Sequence, residues 1–171
     1  MEILKWVMLS MFTVALGAIV GFGLYTRKVF VAWYHLAALI VLLFMVSLAS
    51  SFIGHLAKEY FSYRFFEVFV SLILIAIGVA IVVKKPIYPG QQDLLLFGLT
   101  ITLDVGLLGF HYGQNEDGGF GLAMTISLLL LGSIICGMAF GNRRLTNWRL
   151  KLIYPHIPGL LIVCYGLIKM L

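Results

Sequence analysis

Residues Gly98–Gly113 read GLTITLDVGLLGFHYG, an apolar run with one carboxylate, Asp104, near its middle. In a membrane helix a central Asp costs roughly 2.5–3.5 kcal/mol. A chain that keeps such a group uses it or buries it against a partner. At about 100° per residue, Gly98, Thr102, Gly106, Gly109 and Gly113 gather on one side, and Thr100, Asp104 and His111 on the other. The first face lets a second helix approach closely, as small-xxx-small faces do in lipid. The second is a polar track running from the membrane middle towards one surface. It marks Asp104, Thr100 and His111 as a candidate ion or proton pathway, with Asp104 the candidate metal ligand. The alternative is that Asp104 only hydrogen-bonds a neighbouring helix and fixes its packing.

The rest of the chain is of the same kind. Of its 171 residues 62% are hydrophobic and 11% charged, against about 25% charged in soluble proteins. The expected class is an all-α polytopic membrane protein. The formal net charge of +5 then reports topology rather than nucleic-acid binding, because Lys and Arg collect on the cytoplasmic side. Cys136 and Cys164 lack a CxxC spacing and read as buried small apolar residues.

Six spans are expected, at about 6–25, 30–54, 66–83, 94–112, 121–141 and 152–170, joined by short polar linkers. Small residues mark packing faces on several of them. These are Ser10, Thr13, Gly17 and Gly21 on the first, Ser47, Ser50, Ser51 and Gly54 on the second, and Ser133, Gly137 and Gly141 on the fifth. Gly17, Gly21, Gly106, Gly109 and Gly137 are the expected helix-packing glycines. Lys84-Lys85-Pro86 closes the third span, and Pro155 and Pro158 open the sixth. Arg27, Lys28, Lys84, Lys85, Arg143, Arg144, Arg149 and Lys151 fall on one side, and Lys5, Lys58, Arg64 and Lys169 on the other. That bias places both termini outside the cytoplasm of an inner, plasma membrane. The Glu116–Asp117 loop is then external.

The chain reads as one membrane domain, 1–171, in two related halves, about 1–87 and 88–171. LILIAIGVAI at 72–81 echoes LIVCYGLIK at 161–169, with Gly78 matching Gly166. Gly21-Phe22 matches Gly109-Phe110 at the same offset of 88, and Ser51–Gly54 echoes Ser133–Gly137. Three spans per half insert the halves in opposite senses, the 3+3 inverted-repeat plan of many secondary transporters, whose sites lie at the midplane.

The Leu103-Asp104-Val105 element in a Gly-rich fourth span resembles the manganese efflux pump family and its sporulation-associated membrane relatives, six-span LysE-like exporters. So do LILIAIG, closing the first half, and PGLLIVCYGLIKML, closing the chain. The resemblance implies export of a divalent cation such as manganese, with intramembrane aspartates in both halves. This sequence departs from that pattern. The first-span counterpart of Asp104 is Gly17 or Leu16, depending on register, and neither is a ligand. One carboxylate with Thr100, or with Thr13, Ser47 or Ser51, is a thin site for a hard cation. His111, seven residues on, lies about 10 Å along the helix from Asp104.

Other functions leave weaker traces. His35 and His156 fall near one surface, and His55 and His111 near the other, which raises a di-haem cytochrome. His35 and His55 end one helix about 30 Å apart, too far out for haem ligands, so no cofactor is expected. There is no Ser/His/Asp set, no paired catalytic carboxylates and no Walker-type stretch, so the chain does not read as an enzyme. Glu67 and Arg64 read as a surface pair, and Trp6, Trp33 and Trp148 as interfacial anchors. The expected function is a cation exporter working by alternating access around Asp104. The alternative is a non-transporting subunit of a larger membrane complex. The expected partners are the lipid bilayer, a transported cation and a homodimer or larger complex, with no nucleic acid.

Overall fold

The computed structural model describes residues 2–27, 31–60, 62–83, 91–114, 120–144 and 156–170. The Lys84–Pro86 stop, the Glu116–Asp117 loop, Pro155 and Trp148 lie outside these residues. The described residues form six helices: α1 Glu2–Thr26, α2 Trp33–Ala57, α3 Tyr63–Val83, α4 Gln91–Gln114, α5 Phe120–Arg144 and α6 Ile157–Met170. Four contain stretches long and apolar enough to cross a membrane: Tyr34–Ala57, Tyr63–Val83, Asp93–Gln114 and Ala123–Gly141. The apolar stretches Met11–Thr26 and Ile157–Met170 are shorter. α6 is described over Ile157–Met170, the expected start of the sixth span near 152 lying outside the described residues, and Pro158 sits in its first turn, where a missing N–H breaks no helical bond.

The helices pair closely, α2 with α4, α1 with α5 and α3 with α6. Glycine decides each pairing, because without a Cβ two backbones approach and pack by van der Waals contact. On α1, Gly17 lies against Ser133 and Leu130 and Gly21 against the Ile134 carbonyl, while Gly137 of α5 faces the Ala18 carbonyl. On α4, Gly109 and Gly113 meet the Ser47 and Ser51 carbonyls, and Gly54 of α2 meets the Phe110 carbonyl. Both of these pairs run parallel. α3 and α6 run antiparallel: a Cβ at Gly78 would stand 2.8 Å from the Gly159 carbonyl oxygen, and one at Gly166 would stand 3.0 Å from that of Ser71.

Two glycines of the expected α4 face do not serve this purpose. Gly106 makes only an ordinary contact, its Cβ position 3.6 Å from Val46, and Gly98 has nothing within 4 Å. At about 100° per residue the four glycines spread over about 80°, with Gly109 and Gly113 inside that arc and Gly98 and Gly106 at its edges, and only the inner two meet the α2 backbone.

Between the helices lies a core of Leu16, Val20, Leu43, Leu74, Phe97, Ile101, Val105, Leu130 and Ile162, each at most 1% exposed. Large apolar side chains also point outward, among them Val41, Phe52, Phe69, Leu129 and Leu160. This apolar outside is compatible with a multi-pass membrane protein. Cys136 and Cys164 are exposed rather than buried. An apolar thiol suits a lipid-facing surface as well as a core, so composition alone did not separate the two.

Candidate functional site

One face of α4 carries the buried polar groups. Asp93, Thr100 and Asp104 are 2%, 0% and 1% exposed. Eleven residues are three helical turns and about 20°, so Asp93 and Asp104 share that face about 16 Å apart along the axis. Each carboxylate meets a cation from a different helix.

Asp104 is held from α6. Its Oδ1 accepts a hydrogen bond from the Tyr165 hydroxyl at 2.9 Å and a second from the Lys169 ammonium. Tyr165 and Lys169 are four residues apart, so α6 presents both on one side. The ammonium lies 5.5 Å from the Tyr165 ring centroid, where the ring face attracts a cation. Phe12 packs on the same ring edge-on, centroids 6.2 Å apart. The Lys169 side chain is 11% exposed, so its stem runs inward from the end of α6 and its charge is nearly dry. The second oxygen of Asp104, Oδ2, is buried and has no hydrogen-bond partner among the described residues.

Asp93 is held from α1 at the other end of the stripe. Arg27 Nη1 stands 3.2 Å from Asp93 Oδ1, with side chains 0% and 3% exposed. Arg27 Nη2 donates to the Ile81 carbonyl. His156 Nδ1 lies 2.9 Å from the neighbouring Val82 carbonyl. The last carbonyls of a helix have no partner within it and carry its negative dipole end. Arg27 and His156 therefore cap α3 while Arg27 neutralises Asp93, which ties α1, α3, α4 and α6 together at this end.

The expected pathway residues are not brought together around Asp104. The Thr100 hydroxyl donates to the Leu96 carbonyl of its own helix at 2.8 Å. The His111 ring rests on Tyr63, centroids 4.3 Å apart, at the far end of α4. Ser47 and Ser51 serve the α2–α4 seam instead of a site. Among the described residues no three His, Cys, Asp or Glu side chains group to hold a metal ion. The cation beside Asp104 is the chain's own Lys169. Arg64 and Glu67 form an outer pair at 3.5 Å with Arg64 exposed.

The sequence reading missed Tyr165, Lys169, Arg27 and Asp93. One signal was available: Asp93 and Asp104 are eleven residues apart, a spacing that keeps both on the buried face. Compared with family models, curated proteins and solved structures, the chain matches none.

Proposed function

We propose that this chain is a membrane transporter working by alternating access, in which Asp104 exchanges the Lys169 ammonium for a transported cation or a proton. The observation carrying this reading is the Asp104 carboxylate, buried with Oδ1 doubly engaged and Oδ2 free of hydrogen bonds among the described residues. Lys169 acts as a tethered cation. When it swings towards the near surface it leaves a charge that lipid and protein do not tolerate, so a cation or proton must take its place. The resemblance points to manganese. One carboxylate and one phenol suit a proton or a singly charged ion better than a divalent ion, which takes six or so oxygens.

The helix contacts support a 3+3 inverted repeat. Gly78 rests on Gly159 and Val163, and Gly166 rests on Ser71 and Ile75. Shifting 71, 75 and 78 by 88 gives 159, 163 and 166. Gly21 on the Ile134 carbonyl and Gly109 on the Ser47 carbonyl repeat the relation, with shifts of 88 and 87. On this register Gly54 corresponds to Gly141, one helical turn from the Ser51–Gly54 and Ser133–Gly137 match suggested by sequence. Asp104, Tyr165 and Lys169 correspond to Leu16, Ile77 and Ile81, all buried in the apolar core. One half carries the ionisable cluster and the other its apolar counterpart. In the orientation given by the Lys and Arg bias, Asp104–Lys169 lies towards the outside and Arg27–Asp93 closes the cytoplasmic end.

The test is a cation-resistance and uptake assay in cells lacking their own exporters, followed by proteoliposomes with an imposed pH gradient. The wild type is expected to lower a cellular cation, and Asp104→Asn at equal expression to abolish the effect. A second reading, a non-transporting subunit, is favoured by Arg27, whose bond to Asp93 and to a helix-end carbonyl makes a complete clamp. Wild type and variant that leave every cation and the proton gradient unchanged, with a co-purifying membrane partner, would establish that reading instead.

A further inference from the structure

Lys169 needs somewhere to go when it leaves Asp104, and α3 has one carboxylate, Glu67. α3 and α6 run antiparallel in contact, with Gly166 against the Ser71 carbonyl. From that contact Lys169 lies three residues on along α6, and Glu67 four residues back along α3. Both steps move the same way along the bundle, by about 4.5 and 6 Å, so the two side chains leave their helices at nearly one level. At about 100° per residue Glu67 falls between Ser71, on the α6 seam, and Val70, which belongs to the core. Lys169 leans to the core side of the same seam, where it meets Asp104. Phe66 packs on Phe110 and Tyr63 on His111, centroids 4.4 and 4.3 Å apart, so Glu67 stands beyond Asp104, nearer the end of the bundle.

The present partners of Glu67 hold it loosely. Arg64 Nη1 stands 3.5 Å from Oε2 with its own side chain 62% exposed, and the Tyr63 hydroxyl donates to Oε1 at 3.4 Å. Both distances are long for charge-assisted contacts, and an exposed Arg–Glu pair is worth little. Glu67 thus changes partner at small cost. The Tyr63 hydroxyl also lies in the field of Asp104, so the two carboxylates are near enough to act on one group.

We infer that Glu67 is the second seat of Lys169. The ammonium alternates between Asp104, inside, and Glu67, nearer the bundle end, by rotation of its own stem. The inference rests on the exchange proposed above for Asp104, and it makes Glu67 the positioning residue that holds Lys169 away while Asp104 carries its cation or proton. One positive charge arrives at Asp104 as the ammonium departs to Glu67, so the buried carboxylate is never left bare.

The experiment treats the full chain in lipid nanodiscs with dicyclohexylcarbodiimide and maps the products by peptide mass. The reagent activates a carboxylate, and an amine in contact displaces the urea to form an amide, so a Lys169–Glu67 link reports direct contact. In the wild type this link is expected at trace level. In Asp104→Asn it is expected to rise about tenfold, as a minor state becomes the main one, and adding Glu67→Gln should abolish it. Thermal melting gives a second readout. Glu67→Gln alone should lower the midpoint by about 2 °C or less, and in the Asp104→Asn background by about 5 °C. Asp104→Leu serves if Asp104→Asn fails to fold. A Lys169–Glu67 yield no higher in the Asp104 variant than in the wild type, or an equal effect of Glu67→Gln in both backgrounds, would overturn the second seat. Neither readout uses transport, so a chain that moves no cation can still show the seat, and an active exporter without the link refutes the seat alone.

Discussion

Lys169→Met removes the cation from Asp104 and leaves a similar stem in place. The carboxylate is 1% exposed and keeps one hydrogen bond, from Tyr165 at 2.9 Å. Breaking a buried pair from one side costs about 3–5 kcal/mol, because the remaining charge is neither solvated nor matched. For a chain of this length each kcal/mol shifts the melting temperature by about 2–4 °C. A fall of roughly 6–20 °C is therefore expected in thermal unfolding followed by size-exclusion recovery in one detergent. Asp104→Leu should cost less, since Lys169 retains 11% side-chain exposure at the end of α6 and its ammonium reaches water by a change of rotamer. The double variant Lys169→Met/Asp104→Leu places apolar groups at positions that, under the proposed repeat, correspond to the buried Leu16 and Ile81. Replacing a whole buried pair by apolar residues is often neutral or stabilising by about 1–4 kcal/mol, so its melting should return to the wild-type value or above. A Lys169→Met variant that melts within about 2 °C of wild type, or a double variant no better than Lys169→Met, would refute the reasoning.

The glycine seams separate cleanly on α4. Gly109→Val drives a branched side chain into the Ser47 carbonyl and should lower stability by about 1–3 kcal/mol, whereas Gly98→Ala meets nothing and should gain up to about 1 kcal/mol from helix propensity, both read by the same melts. Arg27→Gln and Asp93→Asn should each destabilise and be strongly non-additive, with a coupling of about 1–3 kcal/mol in a double-mutant cycle. Cys136 and Cys164, both exposed, should react in native membranes with a lipid-soluble maleimide faster than with a charged one, as labelled peptide masses will show.

Much of the fold was legible because helix packing in lipid leaves a pattern on the chain. Gly17, Gly21 and Gly137 each stand against the neighbouring helix, since only a residue without a side chain permits that approach. Asp104 was legible as a costly group. Its partners were not. Lys169 and Arg27 end apolar runs, where a long cationic side chain reaches outward to water or inward to an acid with equal ease. Nothing local distinguishes these outcomes, because the acids that decide them stand 65 and 66 positions away in sequence. Asp93 fell in the linker before the fourth span, and its spacing of eleven from Asp104 was the one local sign that it belongs to the buried face of α4, where it meets Arg27.

The antiparallel seat of α3 on α6 has an evolutionary consequence. Gly78 fits the stretch 159–163 as Gly166 fits 71–75, so under the repeat proposed above each half offers the other the surface it receives. Two separate copies of an ancestral half would have made the same contact as a homodimer, in which every residue appears twice. Such a dimer could not keep an acid on one side alone. Under that repeat, two gene copies, fused or separate, are free to mutate singly, and the pairing of Asp104 with Lys169 opposite a plain Leu16 and Ile81 is a difference that a symmetric homodimer cannot carry.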